Sequence, residues 1–205
     1  ESRRDDWVPD NAFAFHNWWH LALFYLDDAR YGKVLELYDS AIHPERSQIV
    51  LSLIDATALL WRLHLEGVDV GARFAAVADE WEQQLDDEAG FYAFNDFHAA
   101  MAFSACGRSQ SLETVKAAMR KTVQGSDDLA QMAREVGTAL VAGVEAFAAG
   151  KYGQAIESIE PVRDSANRFG GSHAQPDLIT LTLIESALGC GDRARARHYL
   201  GEGGV

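Results

Sequence analysis

The sequence is poor in the features that mark several large classes of protein. It has only two cysteines, Cys106 and Cys190, in 205 residues, too few for a disulfide framework and typical of a reducing compartment. No apolar run is long enough to span a bilayer, and the first residues show no basic stretch followed by an apolar one. These absences predict a cytoplasmic protein that does not enter a membrane.

Positive charge is also scarce. The chain has 18 Lys and Arg against 31 Asp and Glu, a net charge of −13 at neutral pH. An acidic protein of this kind repels phosphate backbones, so general nucleic-acid binding is not expected. The chain begins at Glu1 and not at Met, and we therefore expect a processed form or a piece of a longer protein.

Strand signals are missing, whereas helix signals are abundant. No segment alternates apolar and polar residues with a period of two, while apolar stripes with a helical period follow one another, separated by Gly-rich breaks. We predict an all-α fold in one domain, 1–205, with short loops that force neighbouring helices antiparallel. The ten predicted helices lie near 10–29, 31–42, 47–66, 71–86, 90–106, 109–123, 126–149, 152–168, 175–189 and 192–200.

A repeated spacing indicates that the hairpins are copies of one unit. Gly150 precedes Ala155 by five residues, and Gly191 precedes Ala196 by five. Ala29 and Val34 have the same spacing, with Ala in place of Gly. The first hairpin has the pattern Trp18-x-x-Leu21-Ala22-x-x-Tyr25, then Tyr31-x-x-Val34-x-x-x-Tyr38-x-x-Ala41 and Pro44.

This pattern resembles the tetratricopeptide repeat. Three further runs, taken in order, are similar to the C-terminal half of the tetratricopeptide repeat protein 38 family over about half of the chain. The resemblance implies hairpins stacked into a right-handed superhelix, but no settled biochemical activity, and family members are about twice as long. The three runs are His16–Leu23, Asp55–Leu63 and Phe94–Ala102.

Helices that lead each hairpin line the concave face of such a superhelix, so we sought candidate ligand-binding residues on the first, third and fifth helices. Stacking of these helices would bring imidazoles, carboxylates and a guanidinium into one patch. Trp19 is expected to face this groove, whereas the other tryptophans are expected in the core. The candidates are His16, Trp19, His20, Asp55, Arg62, Asn95, Asp96 and His98.

Several kinds of chemistry remain open for this patch. Two His one turn apart can bind a metal, and Asp55, Asp96 or His98 could complete a zinc, manganese or iron site. Asn17 stands where a zinc protease would have its general base. Alternatively, the histidines hydrogen-bond the carboxylates as structural groups, or an Asp–His pair performs acid–base catalysis without metal. We predict no metal and no cofactor.

The function favoured by the sequence is capture of a peptide or protein partner on the concave face. The alternative is a small-molecule or peptide hydrolase, with or without metal, that uses the His/Asp patch. A third hypothesis is an assembly role, including a homodimer. His43 and the acidic residues 79–88 are expected to be solvated, although the acidic run could also dock a basic peptide.

Overall fold

A computed structural model describes residues 14–47, 49–168 and 177–202, and the structural statements below refer to these residues. Within them the chain forms ten helices and no strand, as predicted. The helices are α1 Ala14–Asp27, α2 Tyr31–Leu37 with a π-helical end Tyr38–Ile42, α3 Val50–Leu65, α4 Arg73–Glu88, α5 Ala93–Ala105, α6 Ser109–Thr122, α7 Asp128–Met132 with π-helical Ala133–Gly137 and α-helical Thr138–Ala148, α8 Tyr152–Ile159 with a 3-10 end Glu160–Arg168, α9 Asp177–Gly189 and α10 Arg193–Glu202.

The predicted boundaries fall within three residues of the observed ones wherever both are described. Pro161 lies within α8, and this helix changes from α-helix to 3-10 helix at the residue before it, because proline cannot donate a backbone N–H to an α-helix. Asp127 caps α7, and its side chain accepts the backbone N–H of Ala130 at 2.8 Å. The predicted helical residues 10–13 and 175–176 lie outside the described part.

The five leading helices, α1, α3, α5, α7 and α9, all end in the same turn. In each, the second residue after the helix has a positive φ, between 54° and 75°. Its N–H bonds to the carbonyl three residues back, and the next N–H bonds to the carbonyl five residues back. Four of these residues are glycines and the first is Ala29; the glycines are Gly67, Gly107, Gly150 and Gly191. The repeated spacing seen in the sequence is therefore a repeated helix ending.

The leading helices form an inner layer that closes on itself. Each of α3, α5 and α7 contacts the next leading helix, and α9 returns to contact α3, while α1 packs on α3 from one side. The Trp61 indole N–H donates to the Thr182 hydroxyl at 3.0 Å, joining α3 to α9 across 121 residues. In an open solenoid, each repeat contacts only its neighbours. The contact between α9 and α3 therefore distinguishes this fold from an open solenoid.

This closure buries α3 and α5 on almost every side. All residues from Ser52 to Leu63 are buried, and so are all from Ala93 to Phe103 except Asn95. The concave face is therefore filled with side chains along these two helices. The space between the first and last hairpins lies beside this filled core, and Arg62 is the candidate residue on α1 and α3 that borders it.

Candidate functional site

The histidines of α1 and the aspartate of α3 form a chain of hydrogen bonds. His16 Nδ1 lies 2.8 Å from Asp55 Oδ2, and His16 Nε2 lies 3.2 Å from His20 Nε2. Asp55 is fully buried, whereas the His16 side chain is 24% exposed. The spacing of one helical turn on α1 produces this geometry, because it places both imidazoles on the face that packs against α3.

The charges in this chain follow from its geometry. The bond to Asp55 raises the pKa of His16. Burial lowers the pKa of His20, and the neighbouring His16 charge lowers that pKa further. Burial also raises the pKa of Asp55. A protonated His16 can therefore donate to Asp55 through Nδ1 and to a neutral His20 through Nε2.

Trp19 and Arg62 extend this cluster into the core. The Trp19 ring is fully buried and stacks on His16 with centroids 5.7 Å apart. Arg62 Cζ lies 5.4 Å from the Trp19 ring centroid, and Arg62 Nη1 donates to the Ala58 carbonyl at 3.2 Å. Burial lowers the pKa of Arg62 to about 10, which still leaves the guanidinium charged at neutral pH.

His98 lies near Arg62 but is neutral. Its Nδ1 donates to the Phe94 carbonyl at 2.8 Å, and its Nε2 is buried without a hydrogen-bond partner. Burial lowers the pKa of His98 to about 4, and the Arg62 charge contributes to that shift. Trp19, Asp55 and His98 are thus buried. They lie on the core side of the more exposed residues of the cluster.

Asn95 and Asp96 lie apart from this cluster, at the turn between α4 and α5. Asp96 Oδ1 accepts the Gly90 N–H at 2.9 Å, and Asn95 Nδ2 donates to Glu88 Oε2 at 2.7 Å. Asp96 is two residues before His98, and two residues turn a helix by about 200°, which places these side chains on opposite faces. The eight predicted residues therefore divide between two places.

Between the first and last hairpins lies a cleft of about 710 Å³, here called the seam cleft. Its apolar lining comes from Leu23, Leu26, Leu65, Leu181, Ile184 and Leu200. Four carboxylates also line it, those of Asp27, Glu66, Asp177 and Glu185. Arg62 belongs to the lining as well, so the seam cleft adjoins the histidine cluster through this residue.

Two of the carboxylates that line the seam cleft, those of Glu66 and Glu185, interact electrostatically. Tyr31 donates its hydroxyl to Glu66 Oε2 at 3.0 Å. Burial raises the pKa of Glu185, and the negative charge of Glu66 raises it further. The negative charges of the two glutamates therefore repel one another.

The sequence indicates one wall of this cleft but not the other. Leu23 and Asp27 continue the helical stripe of His16 and His20 on α1, at the same spacing of three to four residues. The opposite wall, on α9 and α10, comes from the other end of the chain. Only the closure of the inner layer brings the two walls together.

The prediction that His43 and the acidic run are solvated is wrong for His43 and Glu80. His43 Nε2 lies 3.1 Å from Glu80 Oε1, and both side chains are at most 5% exposed. Glu80 Oε2 also accepts the Ser47 N–H at 2.8 Å. Glu80 thus fixes the loop after α2 against α4, because a buried carboxylate needs such partners.

Two further features concern the described residues only. No group of three or more His, Cys, Asp or Glu side chains among them is placed to hold a metal ion. No helix in those ranges is both long enough and apolar enough to cross a membrane.

No protein-family model matches the chain, and no solved structure matches it. The described residues define the class: they form ten helices and no strand, an all-α fold compatible with a helical-repeat architecture.

Proposed function

We propose that this chain is a helical-repeat binding module that captures a peptide segment of a partner protein in the seam cleft. Its volume, about 710 Å³, falls within the range of pockets that enclose ligands, about 300–1,000 Å³. The observation that carries the proposal is this cleft, which the first and last hairpins line together with apolar and charged groups. The likeness to the tetratricopeptide repeat protein 38 family agrees with a stack of helical hairpins.

The candidate residues take different parts in this proposal. His16 and His20 lie on the α1 stripe that continues into the cleft, and Arg62 lines it. Trp19 and Asp55 hold His16 and Arg62 in place from the buried side. Arg62 is therefore the candidate residue that lines the cleft itself, and the imidazoles adjoin the cleft only through Trp19 and Arg62.

The test compares two exposed apolar residues, one that lines the seam cleft and one that lies away from it. Leu200 lines the seam cleft and is 59% exposed, whereas Phe91 is 63% exposed and lies at the α4–α5 turn. Peptides would be selected on the purified protein from a random 12-residue display library, and their affinities measured by fluorescence anisotropy. Leu200→Asp should weaken binding at least tenfold, and Phe91→Asp should leave it within twofold. Selection of no binding peptide, or equal effects of both changes, would contradict the proposal.

A second candidate function is acid–base catalysis by His16, favoured by its bond to the buried Asp55. In the part of the chain described, no Ser, Thr or Cys side chain hydrogen-bonds either imidazole of the cluster, so water would be the nucleophile. Replacing His16 and His20 together with Ala distinguishes the roles. The melting temperature should fall in either case, because the buried Asp55 loses its bond to His16. A catalytic pair predicts in addition that the native protein hydrolyses activated esters and that the variant does not, whereas a structural pair predicts no hydrolysis by either.

A further inference from the structure

We infer that the segment captured in the seam cleft is basic and amphipathic, with apolar side chains on one face and Lys or Arg on the other. This inference rests on the proposed function and names the chemistry of its ligand. It combines two properties of the cleft, its leucine-rich walls and its unbalanced negative charge.

The walls present apolar surface on both sides of the opening. Leu23 and Leu26 lie on α1, Leu181 and Ile184 on α9, and Leu200 on α10. Leu200 is more than half exposed, so its side chain remains in contact with water while the cleft is empty. A ligand with an apolar face removes this surface from water, which favours its binding.

The charge of the cleft is negative. Its lining has four carboxylates and one guanidinium, so three negative charges remain after subtraction. The guanidinium of Arg62 already has Asp27, Asp55 and Asp177 close enough to stabilise its charge. The positive charge in the cleft is therefore engaged within the protein.

Glu66 and Glu185 provide the position for a ligand cation. Among the described residues, neither forms an ion pair, and Glu66 has a hydroxyl donor only, from Tyr31. Both carboxylates line the same cleft and repel one another, and an ammonium or guanidinium group of a ligand bound there would offset this repulsion.

The same charges discriminate against other occupants. An acidic segment would add to the repulsion between Glu66 and Glu185. A second copy of this chain carries a net charge of −13, which opposes its approach to a negative cleft. A basic segment is the occupant that complements both the charge and the apolar walls.

The probes are three fluorescein-labelled peptides of fourteen residues that share their leucine positions and differ only in the polar residue. That residue is Lys in the first peptide, Gln in the second and Glu in the third. Measured by anisotropy in low salt, the Lys peptide should bind at least tenfold more tightly than the Gln peptide, and the Glu peptide should not bind. Added salt should weaken the Lys peptide and leave the Gln peptide nearly unchanged.

A pair of matched variants separates the cleft from the general acidity of the protein. Glu66→Gln with Glu185→Gln removes two negative charges from the cleft, and Asp86→Asn with Asp87→Asn removes two from exposed positions on α4. The first pair should weaken the Lys peptide at least fivefold and the second less than twofold.

The possible outcomes test the basic character of the ligand separately from the proposed capture of a peptide segment in the seam cleft. Equal affinity for the Lys and Gln peptides, both reduced by Leu200→Asp, would overturn the basic ligand and leave the proposed function standing. Equal weakening by the two variant pairs would also overturn it, since the attraction would then come from the whole surface. No binding by any of the three peptides, together with no peptide selected from the display library, would overturn the proposed function itself.

Discussion

The seam between the first and last hairpins and the turn between α4 and α5 share two structural features. They differ in the residues that supply these features. Each contains a residue with positive φ and lies beside a buried carboxylate on an inner helix. At the α4–α5 turn the positive φ, 76°, belongs to Gly90, whose N–H bonds to Asp96. At the seam it belongs to Ala29, with φ of 54°, and the carboxylate of Asp55 bonds to a titratable histidine.

The difference is the reason for proposing that the turn contributes to stability and the seam to binding. The turn follows local rules, with glycine in the left-handed conformation and a carboxylate fixed by backbone. The seam departs from them, with alanine in that conformation and two glutamates whose negative charges repel one another. Strained and repelling groups persist where a function requires them, because the rest of the fold holds them in place.

The largest effect is expected at the turn, from Gly90→Ala. A Cβ there would lie 2.8 Å from the carbonyl carbon of Ala118 on α6, in addition to the cost of a positive φ. We expect a loss of about 3 kcal/mol in the free energy of unfolding, measured by urea titration. Gly107→Ala is the control, because nothing lies within 4 Å of its added Cβ, and it should cost about 1 kcal/mol. Equal losses would show that α6 does not constrain the turn.

The next effect is a change in pH dependence from Asp96→Asn. Burial raises the pKa of Asp96 to about 7, whereas an unfolded aspartate titrates near 3.9. Between these values the native state holds more protons than the unfolded state, so stability falls as pH rises from about 4 to about 7. Asparagine keeps the acceptor for Gly90 and should add about 2 kcal/mol of stability near pH 8.

The measurement for Asp96 is the urea midpoint at several pH values between about 4 and 8. The variant should lose most of the decline that the native protein shows across this window. Asp86→Asn, at an exposed position of α4, is the control and should leave the profile unchanged. An unaltered profile in Asp96→Asn would mean that another group causes the decline.

The smallest effect is expected at the seam, from Ala29→Gly. Glycine removes the strain of the left-handed conformation, worth about 1–2 kcal/mol. Part of this gain is lost, because glycine also raises the conformational entropy of the unfolded chain. We expect a net gain of about 0.5–1 kcal/mol by thermal or urea unfolding. A loss of stability would show that the Ala29 side chain, which lines the cleft, makes contacts worth more than the strain.

The helices were predictable because their signals are local. Ser109 and Tyr152 begin helices where the sequence indicates, because a glycine in the left-handed conformation ends each preceding helix. The π-helical residues 38–42 and 133–137 were not predicted. Their extra residue per turn leaves no mark in the apolar period and depends on how the surrounding helices pack.

The site was predictable only as far as one helix and its neighbour. The pair His16 and His20 and the carboxylate of Asp55 follow from helical spacing and from the stacking of α1 on α3. Asn95 and Asp96 do not join them, since the rotation of α5 about its own axis decides which face meets α3. The seam cleft depends on the contact of α9 with α3, and the sequence shows no local sign of that contact.

The central claim is that the seam, and not the α4–α5 turn, binds a partner segment. Amide hydrogen exchange of the full chain, with and without the Leu/Lys peptide, tests this most directly. The account predicts slower exchange in residues 23–31, 62–66 and 180–185, with no change in residues 88–96. Slower exchange in residues 88–96 while the seam is unaffected would contradict it.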